Sequence, residues 1–127
     1  MKREEVINLS EEWLKSVPDL KKRIRLIDVA LKKDSYDKGM IEKLQHEKDK
    51  LNKKLSRIIK AIGTLEEENQ KIICYRYFEG LTYKEIALRV HAGERTVYRR
   101  IQNKLLLQVG RIMFGFEDEF WRIFIED

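Results

Sequence analysis

The chain has 127 residues, of which 39% are charged, with a net charge of +5 at pH 7 and one cysteine, Cys74. This length allows one or two small modules around a modest core. A lone cysteine excludes an internal disulfide and is typical of a reducing cytoplasm. No signal peptide and no bilayer-spanning apolar run is present, so we expect a cytoplasmic protein that does not associate with membranes.

The N-terminal half has the pattern of charged, amphipathic helices. Val6, Leu9 and Trp13 recur at helical spacing, which predicts a first helix over residues 2–15. Pro18 disfavours helical geometry in the residue before it and suits the first position of a second helix. The apolar residues of that second helix are Leu20, Ile24, Ile27 and Leu31.

A third helix is predicted by a heptad register, as in a coiled coil. The register positions are Ile41, Leu44, Lys48, Leu51, Leu55, Ile58 and Ile62. Because the connection over residues 34–39 is short, helices two and three are expected to form an antiparallel hairpin. Lys48 marks either the open end of this hairpin or a position that fixes its register. The third helix is longer than the second, so helix one or a second copy of the protein is expected to cover the remainder.

Gly63 marks the predicted boundary between an N-terminal interaction region, residues 1–63, and a second domain, residues 64–127. Thr64 and Glu67 have the spacing of a capping box, which predicts that a fourth helix begins at Thr64. The fold class is therefore all-α: a helical hairpin, a three-helix module and a C-terminal amphipathic helix.

Residues 81–107 show two short helical patterns separated by a turn. Thr82 and Glu85 form a second potential capping box, and a new periodicity begins at Val97 after the segment 91–93. A helix, a three-residue turn and a helix make a helix-turn-helix. Ala87 is small enough for the close crossing of the two helices, and His91 is expected to be the left-handed turn residue.

The face of the second helix opposite Val97 is predicted to read DNA bases. At about 100° per residue this face carries Arg95, Arg99, Gln102 and Leu106, flanked by Thr96, Tyr98 and Asn103. Arginine pairs with guanine, and Gln or Asn pairs with adenine, in the major groove. The base-reading candidates are Arg95, Thr96, Tyr98, Arg99, Gln102 and Asn103, and the phosphate-contact candidates are Thr82, Lys84, Arg100 and Lys104.

Residues 65–105 resemble region 4 of sigma-70-type sigma factors. The resemblance is carried by Leu65, the run Arg76–Leu81, the run Tyr83–Ala87, Thr96-Val97 and Arg100-Ile101. It implies a helix-turn-helix that binds promoter DNA. No stretch resembles sigma region 2, so a complete sigma factor is not expected. A charged helical N-terminal part joined to such a module resembles phage and prophage regulators of the ArpU/RinA late-transcription type, which implies a bacterial or phage-infected cytoplasm.

The C-terminal tail is the most hydrophobic part of the chain. Gly110 and Gly115 are expected to bend or break the helix, and a closing helix is predicted over residues 117–125. The aromatic residues need a cover, which is either the hairpin of the same chain or a second copy. A homodimer paired through the tail is favoured, because two recognition helices would then read two half-sites.

The histidines, the cysteine and the carboxylates show no catalytic or zinc-ligand spacing, so neither an enzyme nor a metal or other cofactor is expected. The predicted function is sequence-specific binding of double-stranded DNA by a transcription regulator, as a phage or prophage activator. One alternative is a sigma-like accessory factor with RNA polymerase as its partner. Another is a helical interaction module that does not bind DNA.

Overall fold

A computed structural model of the chain describes residues 2–33 and 36–114, and all regular structure in those residues is helical. The helices are α1 (Arg3–Lys15), α2 (Val17–Leu31), α3 (Lys38–Gly63), α4 (Glu67–Tyr77), α5 (Tyr83–Val90), α6 (Glu94–Arg100) and α7 (Leu106–Met113). A π-helical turn, Ile101–Leu105, joins α6 to α7. No helix in this part of the chain is long and apolar enough to cross a bilayer.

The predicted closing helix over residues 117–125 and the aromatic tail beyond Phe114 lie outside the described residues. Part of the connection between α2 and α3 also lies outside them.

The hairpin of α2 and α3 is confirmed, since the two helices pack along each other. Pro18 lies in the first turn of α2, and the Asp37 carboxylate caps α3 by accepting a hydrogen bond from the Met40 amide at 2.8 Å. Lys48 pairs with Asp28 across the hairpin. Of its two predicted roles, this pairing agrees with fixing the register of α2 against α3.

The apolar surface that α2 leaves uncovered on α3 is covered by α7, which also packs against α1. Ile58 and Ile62 of α3 belong to the same buried core as Leu14 of α1 and Leu106 and Val109 of α7. Helix one was an expected cover of α3, and packing of α7 on α3 agrees with the expectation that the hairpin of the same chain covers the start of the hydrophobic tail. The hairpin and the C-terminal helices therefore share one core, and the proposed division at Gly63 stays a prediction about the sequence.

Gly110 lies inside α7 and allows α1 to approach closely. A Cβ atom at this position would lie 2.5 Å from Ser10 Oγ and 2.9 Å from Val6 Cγ1. Of the two predicted outcomes at Gly110, a break of the helix is wrong, because α7 continues through it to Met113, and a bend stays a prediction. The position requires glycine because a larger side chain would collide with α1, and not because the backbone there needs extra flexibility.

The predicted capping box at Thr64 is also wrong. The Thr64 hydroxyl donates to the Ala61 carbonyl at 2.7 Å and so completes the end of α3. Helix α4 begins only at Glu67, and Glu66 precedes it without a side-chain cap. A threonine bonded back to the preceding helix is unavailable to cap the following one.

Candidate nucleic-acid interface

The start of α5 is fixed by the predicted capping box at Thr82. The Thr82 hydroxyl accepts a hydrogen bond from the Glu85 amide at 3.1 Å, and the Glu85 carboxylate accepts from the Thr82 amide at 3.3 Å. These reciprocal bonds satisfy amide groups that a helix start leaves without partners. The Thr82 hydroxyl also donates to the Glu85 carboxylate at 3.0 Å.

The turn between α5 and α6 is built around His91, as predicted. Its backbone is left-handed, with φ 55° and ψ 44°, and it ends α5. The amide of Ala92 donates to the Ala87 carbonyl at 3.0 Å. Gly93 then precedes α6 with an extended backbone. This turn sets the direction in which α6 leaves α5.

Buried side chains and an edge-to-face pair of tyrosine rings hold α5 and α6 together. Ile86, Ala87 and Val97 are buried, as expected for the crossing point of the two helices. Next to this crossing the rings of Tyr83 and Tyr98 meet edge to face, with centroids 5.1 Å apart. The helix-turn-helix is therefore a fixed unit rather than two loosely connected helices.

Arg76 extends this support from α4, a role that the sequence analysis missed. Its guanidinium lies 4.0 Å from the centroid of the Tyr83 ring and donates to the Leu81 carbonyl at 3.1 Å. Arg76 is half-buried. Its position in the run Arg76–Leu81 was visible in the sequence, but only the fold shows that this arginine stacks on Tyr83.

The exposed face of α6 presents four of the predicted base-reading side chains: Arg95, Thr96, Tyr98 and Arg99. Within the described residues, neither Arg95 nor Arg99 forms an ion pair. Since no carboxylate there neutralises them, both guanidinium groups are available to an anionic or hydrogen-bonding ligand. The face has the composition expected of a helix that contacts base edges in the major groove.

The predicted phosphate contacts have different surroundings. Lys84 and Lys104 are exposed, and they make no ion pair with any residue that the structure describes. Arg100 is half-buried and pairs with Glu68 of α4 at 3.3 Å. Arg100 can reach a phosphate only by leaving or sharing this carboxylate.

The π-helical turn changes the direction of the side chains that follow Ile101. The Leu106 amide bonds to the carbonyl of Ile101, five residues earlier, so this turn contains one more residue than an α-helical turn. The prediction that Leu106 lies on the DNA-reading face is wrong, because Leu106 is completely buried. Uniform rotation by 100° per residue does not hold across the π-helical turn.

Gln102 and Asn103, the other two predicted base-reading residues, already have hydrogen-bond partners in α1, unlike Arg95 and Arg99. Gln102 is half-buried, and its amide donates to the Glu11 carboxylate of α1 at 3.4 Å. Asn103 is exposed, while its backbone carbonyl accepts a hydrogen bond from Arg3 at 3.1 Å. Base reading by Gln102 and Asn103 stays a prediction, and for Gln102 it requires exchange of an existing partner.

Glu11 connects α1 with α4 and with the helix that follows the turn. Its carboxylate accepts from the Tyr77 hydroxyl at 2.7 Å as well as from Gln102. Burial alone would raise the pKa of Glu11, but the Tyr77 hydrogen bond and the Lys15 charge act the other way, and the net pKa is lowered. Burial and the neighbouring Glu11 raise the pKa of Tyr77. The pair therefore joins an ionised carboxylate to a neutral phenol.

Cys74 is half-buried, and burial, followed by the nearby Glu79, raises the pKa of its thiol. Among residues 2–33 and 36–114, no group of three or more His, Cys, Asp or Glu side chains could hold a metal ion.

Residues 55–103 match the protein family described as Sigma-70, region 4. The match begins within α3 and includes α4, α5, α6 and the start of the π-helical turn. It thus contains the whole helix-turn-helix, a non-catalytic module whose similarity to region 4 indicates DNA binding in transcription. Comparison with curated proteins and with solved structures gave no match.

Proposed function

We propose that this protein is a sequence-specific, double-stranded-DNA-binding transcription regulator that places α6 in the major groove. The observation that carries the proposal is the pair Arg95 and Arg99, exposed and without a carboxylate partner in the described part of the chain, on a helix fixed by the His91 turn. The same helix lies inside the match to Sigma-70, region 4.

In this proposal the residues divide into base contacts and phosphate contacts. Arg95 and Arg99 form bidentate hydrogen bonds with guanines, while Thr96 and Tyr98 contact bases at the edge of the helix. Gln102 and Asn103 extend base reading beyond the α-helical part of α6. Thr82, Lys84, Arg100 and Lys104 bind phosphates and set the position of α6 on the duplex.

Selection of bound sites from a random duplex library tests this function directly. We expect one recurrent motif, enriched in guanines where Arg95 and Arg99 make contact. A variant carrying both Arg95→Ala and Arg99→Ala is expected to lose the motif. The matched control Arg25→Ala removes an exposed arginine from α2, outside the helix-turn-helix. Recovery of random sequences by the unaltered protein would contradict the proposal.

The biological role we propose is activation of phage or prophage genes, within bacterial or phage-infected cytoplasm. It is supported by the resemblance of the charged helical N-terminal part and region-4-like module to regulators of the ArpU/RinA type. A transcription assay with a template carrying the selected motif tests the sign of regulation, since an activator raises transcript yield and a repressor lowers it.

A second candidate function is that of a sigma-like accessory factor that recognises DNA together with RNA polymerase. The observation that favours it is the number of exposed apolar side chains on the α2–α3 hairpin, which include Leu26, Val29, Met40 and Ile41. Exposed apolar patches often mark protein interaction sites. Bandshifts with and without polymerase separate the candidates: a shift only with polymerase supports the accessory factor, and no shift in either condition supports an interaction module without DNA binding.

We further propose that the regulator binds DNA as a homodimer, because a single helix-turn-helix makes few base contacts. The hairpin surface just described and the tail beyond Phe114 are the two surfaces that could pair. Light scattering on the full chain and on a chain ending at Phe114 tests the tail. A dimer that becomes a monomer on truncation supports pairing through the tail, and a monomer in both cases contradicts the homodimer.

A further inference from the structure

A positively charged groove lies beside Trp13, away from the helix-turn-helix. It is an open depression of about 500 Å³ between α1, α2 and α3. Apart from the apolar Leu20 and Leu51, its lining is mostly cationic. The cations are Arg23, Lys50, Lys53, Lys54 and Arg57.

Little in the described residues neutralises this charge. Glu47 is the one carboxylate in the lining, and it already pairs with Arg23 at 3.3 Å. Lys54 lies 4.8 Å from the centroid of the Trp13 ring. Within the described residues, Lys50, Lys53 and Arg57 make no ion pair. The groove therefore combines an aromatic wall with unneutralised cations, and it fits a ligand that is both acidic and aromatic.

The chain itself leads an acidic and aromatic segment to the edge of this groove. Phe114, where the described residues end, packs edge to face on Trp13, with ring centroids 5.1 Å apart. Residues 115–127 continue from that point. They contain five acidic residues and one arginine, together with Phe116, Phe120, Trp121, Ile123, Phe124 and Ile125.

The cations that α3 contributes, Lys50 to Arg57, span about 11 Å along that helix, and the segment is longer than this distance. Thirteen residues span about 20 Å as a helix and at most about 45 Å when extended. Because the segment begins beside Trp13, its effective concentration at the groove is on the order of millimolar without any added ligand. A separate acidic peptide would have to displace this tethered competitor.

We propose that residues 116–127 of the same chain occupy the groove, with their carboxylates against Lys50, Lys53 and Arg57 and their aromatic side chains against Trp13. Duplex DNA fits the groove less well. The rise of the helix from Val97 to Phe114 is about 26 Å, so the groove lies at the far end from the DNA-reading face. The acidic residues that follow Phe114 would also repel phosphates there.

Carbodiimide crosslinking of the full chain tests the contact, because this reagent joins a carboxylate to a lysine amine only when they touch. Peptide mass spectrometry is expected to connect the carboxylates of residues 117–127 with Lys50, Lys53 and Lys54. Lys22 on α2 and Lys32 and Lys33 directly after it are exposed, as are Lys50 and Lys53, and serve as internal controls. Crosslinks spread evenly over both sets of lysines would overturn the proposal.

An equal mixture of isotope-labelled and unlabelled protein distinguishes contact within a chain from contact between copies. Contact within the chain gives crosslinked peptides that are either fully labelled or fully unlabelled. Mixed pairs would show that the segment lies on a second copy and would overturn the assignment to the same chain. Neither readout involves DNA, so this inference and the proposed function can fail independently.

Charge reversal supplies a second test that does not depend on lysine chemistry. The variant carries Lys50→Glu, Lys53→Glu and Arg57→Glu. All proteins in this test also carry Trp121→Phe, which leaves Trp13 as the single tryptophan whose fluorescence acrylamide quenches. We expect acrylamide to quench Trp13 more strongly in this variant than in the parent, because the segment no longer covers the ring. When the acids at 117–119 are also changed to lysine, the charges attract again, and we expect quenching to fall. The control Lys22→Glu, Arg25→Glu and Lys33→Glu makes the same charge change on α2 and directly after its end. Equal quenching in the groove and control variants would contradict the contact.

Discussion

Helices α6 and α7 form one continuous helical stretch, yet its two ends have opposite environments. The α6 end exposes Arg95 and Arg99, whereas in α7 Leu106, Val109 and Met113 are almost completely buried. The π-helical turn separates the two. The candidate DNA-binding face and the core are therefore neighbours on one helix, and substitutions on either side of the turn can be used to separate binding from stability.

Leu106→Ala is expected to have the largest effect and to act on stability alone. Removing a completely buried leucine side chain leaves a cavity, and we expect the free energy of unfolding to fall by about 2–5 kcal/mol. Urea denaturation measures the change. Leu88→Ala is the matched control, because Leu88 is 70% exposed, and its effect is expected within about 0.5 kcal/mol. If Leu106→Ala left stability unchanged but altered the selected DNA motif, the separation at the turn would be wrong.

Gly110→Ala tests the packing of α7 by adding a methyl group to a crowded contact, whereas Leu106→Ala tests it by leaving a cavity. The added methyl group would lie 2.5 Å from Ser10 Oγ, so we expect a loss of about 1–3 kcal/mol in the free energy of unfolding despite the better helix propensity of alanine. Thermal unfolding measures it.

Two further variants control the glycine prediction. Gly63→Ala meets no atom within 4 Å and is expected to be neutral or stabilising. Adding Ser10→Ala to Gly110→Ala is expected to restore part of the loss, because it removes both the crowded oxygen and a buried hydroxyl that has no hydrogen-bond partner among the described residues. No rescue would mean that α1 is displaced for another reason.

Arg99→Ala examines the α6 side and is expected to act on binding alone. Loss of a bidentate contact is expected to weaken the cognate site by about 1–3 kcal/mol and to relax the preference at one base position. Bandshift titration measures both effects, and urea denaturation is expected to give unchanged stability, since the side chain is exposed. Arg25→Ala controls for the loss of one positive charge. Unchanged affinity and preference would remove α6 as the recognition helix.

Tyr77→Phe is expected to have the smallest effect, about 1 kcal/mol, because it removes one hydrogen bond to the partly buried Glu11. The folded-state pKa of Glu11 is lowered, so its contribution to stability is present above the unfolded-state pKa and is lost as the pH falls through the folded-state value. The difference between variant and parent is therefore expected at neutral pH and should shrink below about pH 4, near the ordinary Glu pKa. Urea denaturation at both pH values measures it, with Tyr36→Phe as the control. A difference that does not depend on pH would argue against the Glu11 contact.

The local features of the fold could be predicted from the sequence because a few neighbouring residues encode them. Thr82 and Glu85 are close enough to form their capping box without help, and the left-handed turn at His91 follows from the interruption of two helical patterns. The exposed positions of Arg95 and Arg99 also follow, since they lie within the regular part of α6. These residues require only α-helical geometry to be placed correctly.

The errors occurred where a local pattern allows two outcomes or where a distant part of the chain decides the conformation. Thr64 has the spacing of a capping residue, but it bonds back to α3. Leu106 is displaced from its expected face by the π-helical turn, and Gly110 is retained for contact with α1. No local sequence pattern predicts the extra residue in the π-helical turn. None predicts that α1, about a hundred positions away, packs against Gly110.

The packing of α1 on α7 also has a consequence for the order of folding during synthesis. Val6 and Ser10 meet Gly110, so α1 leaves the ribosome about a hundred residues before α7, the last described helix, which covers its apolar face. Contacts this far apart in sequence form slowly, and transiently uncovered apolar faces favour aggregation. At the usual 5–20 residues per second, the interval is roughly 5–20 s. During it the nascent N-terminal helices form a natural target for a chaperone.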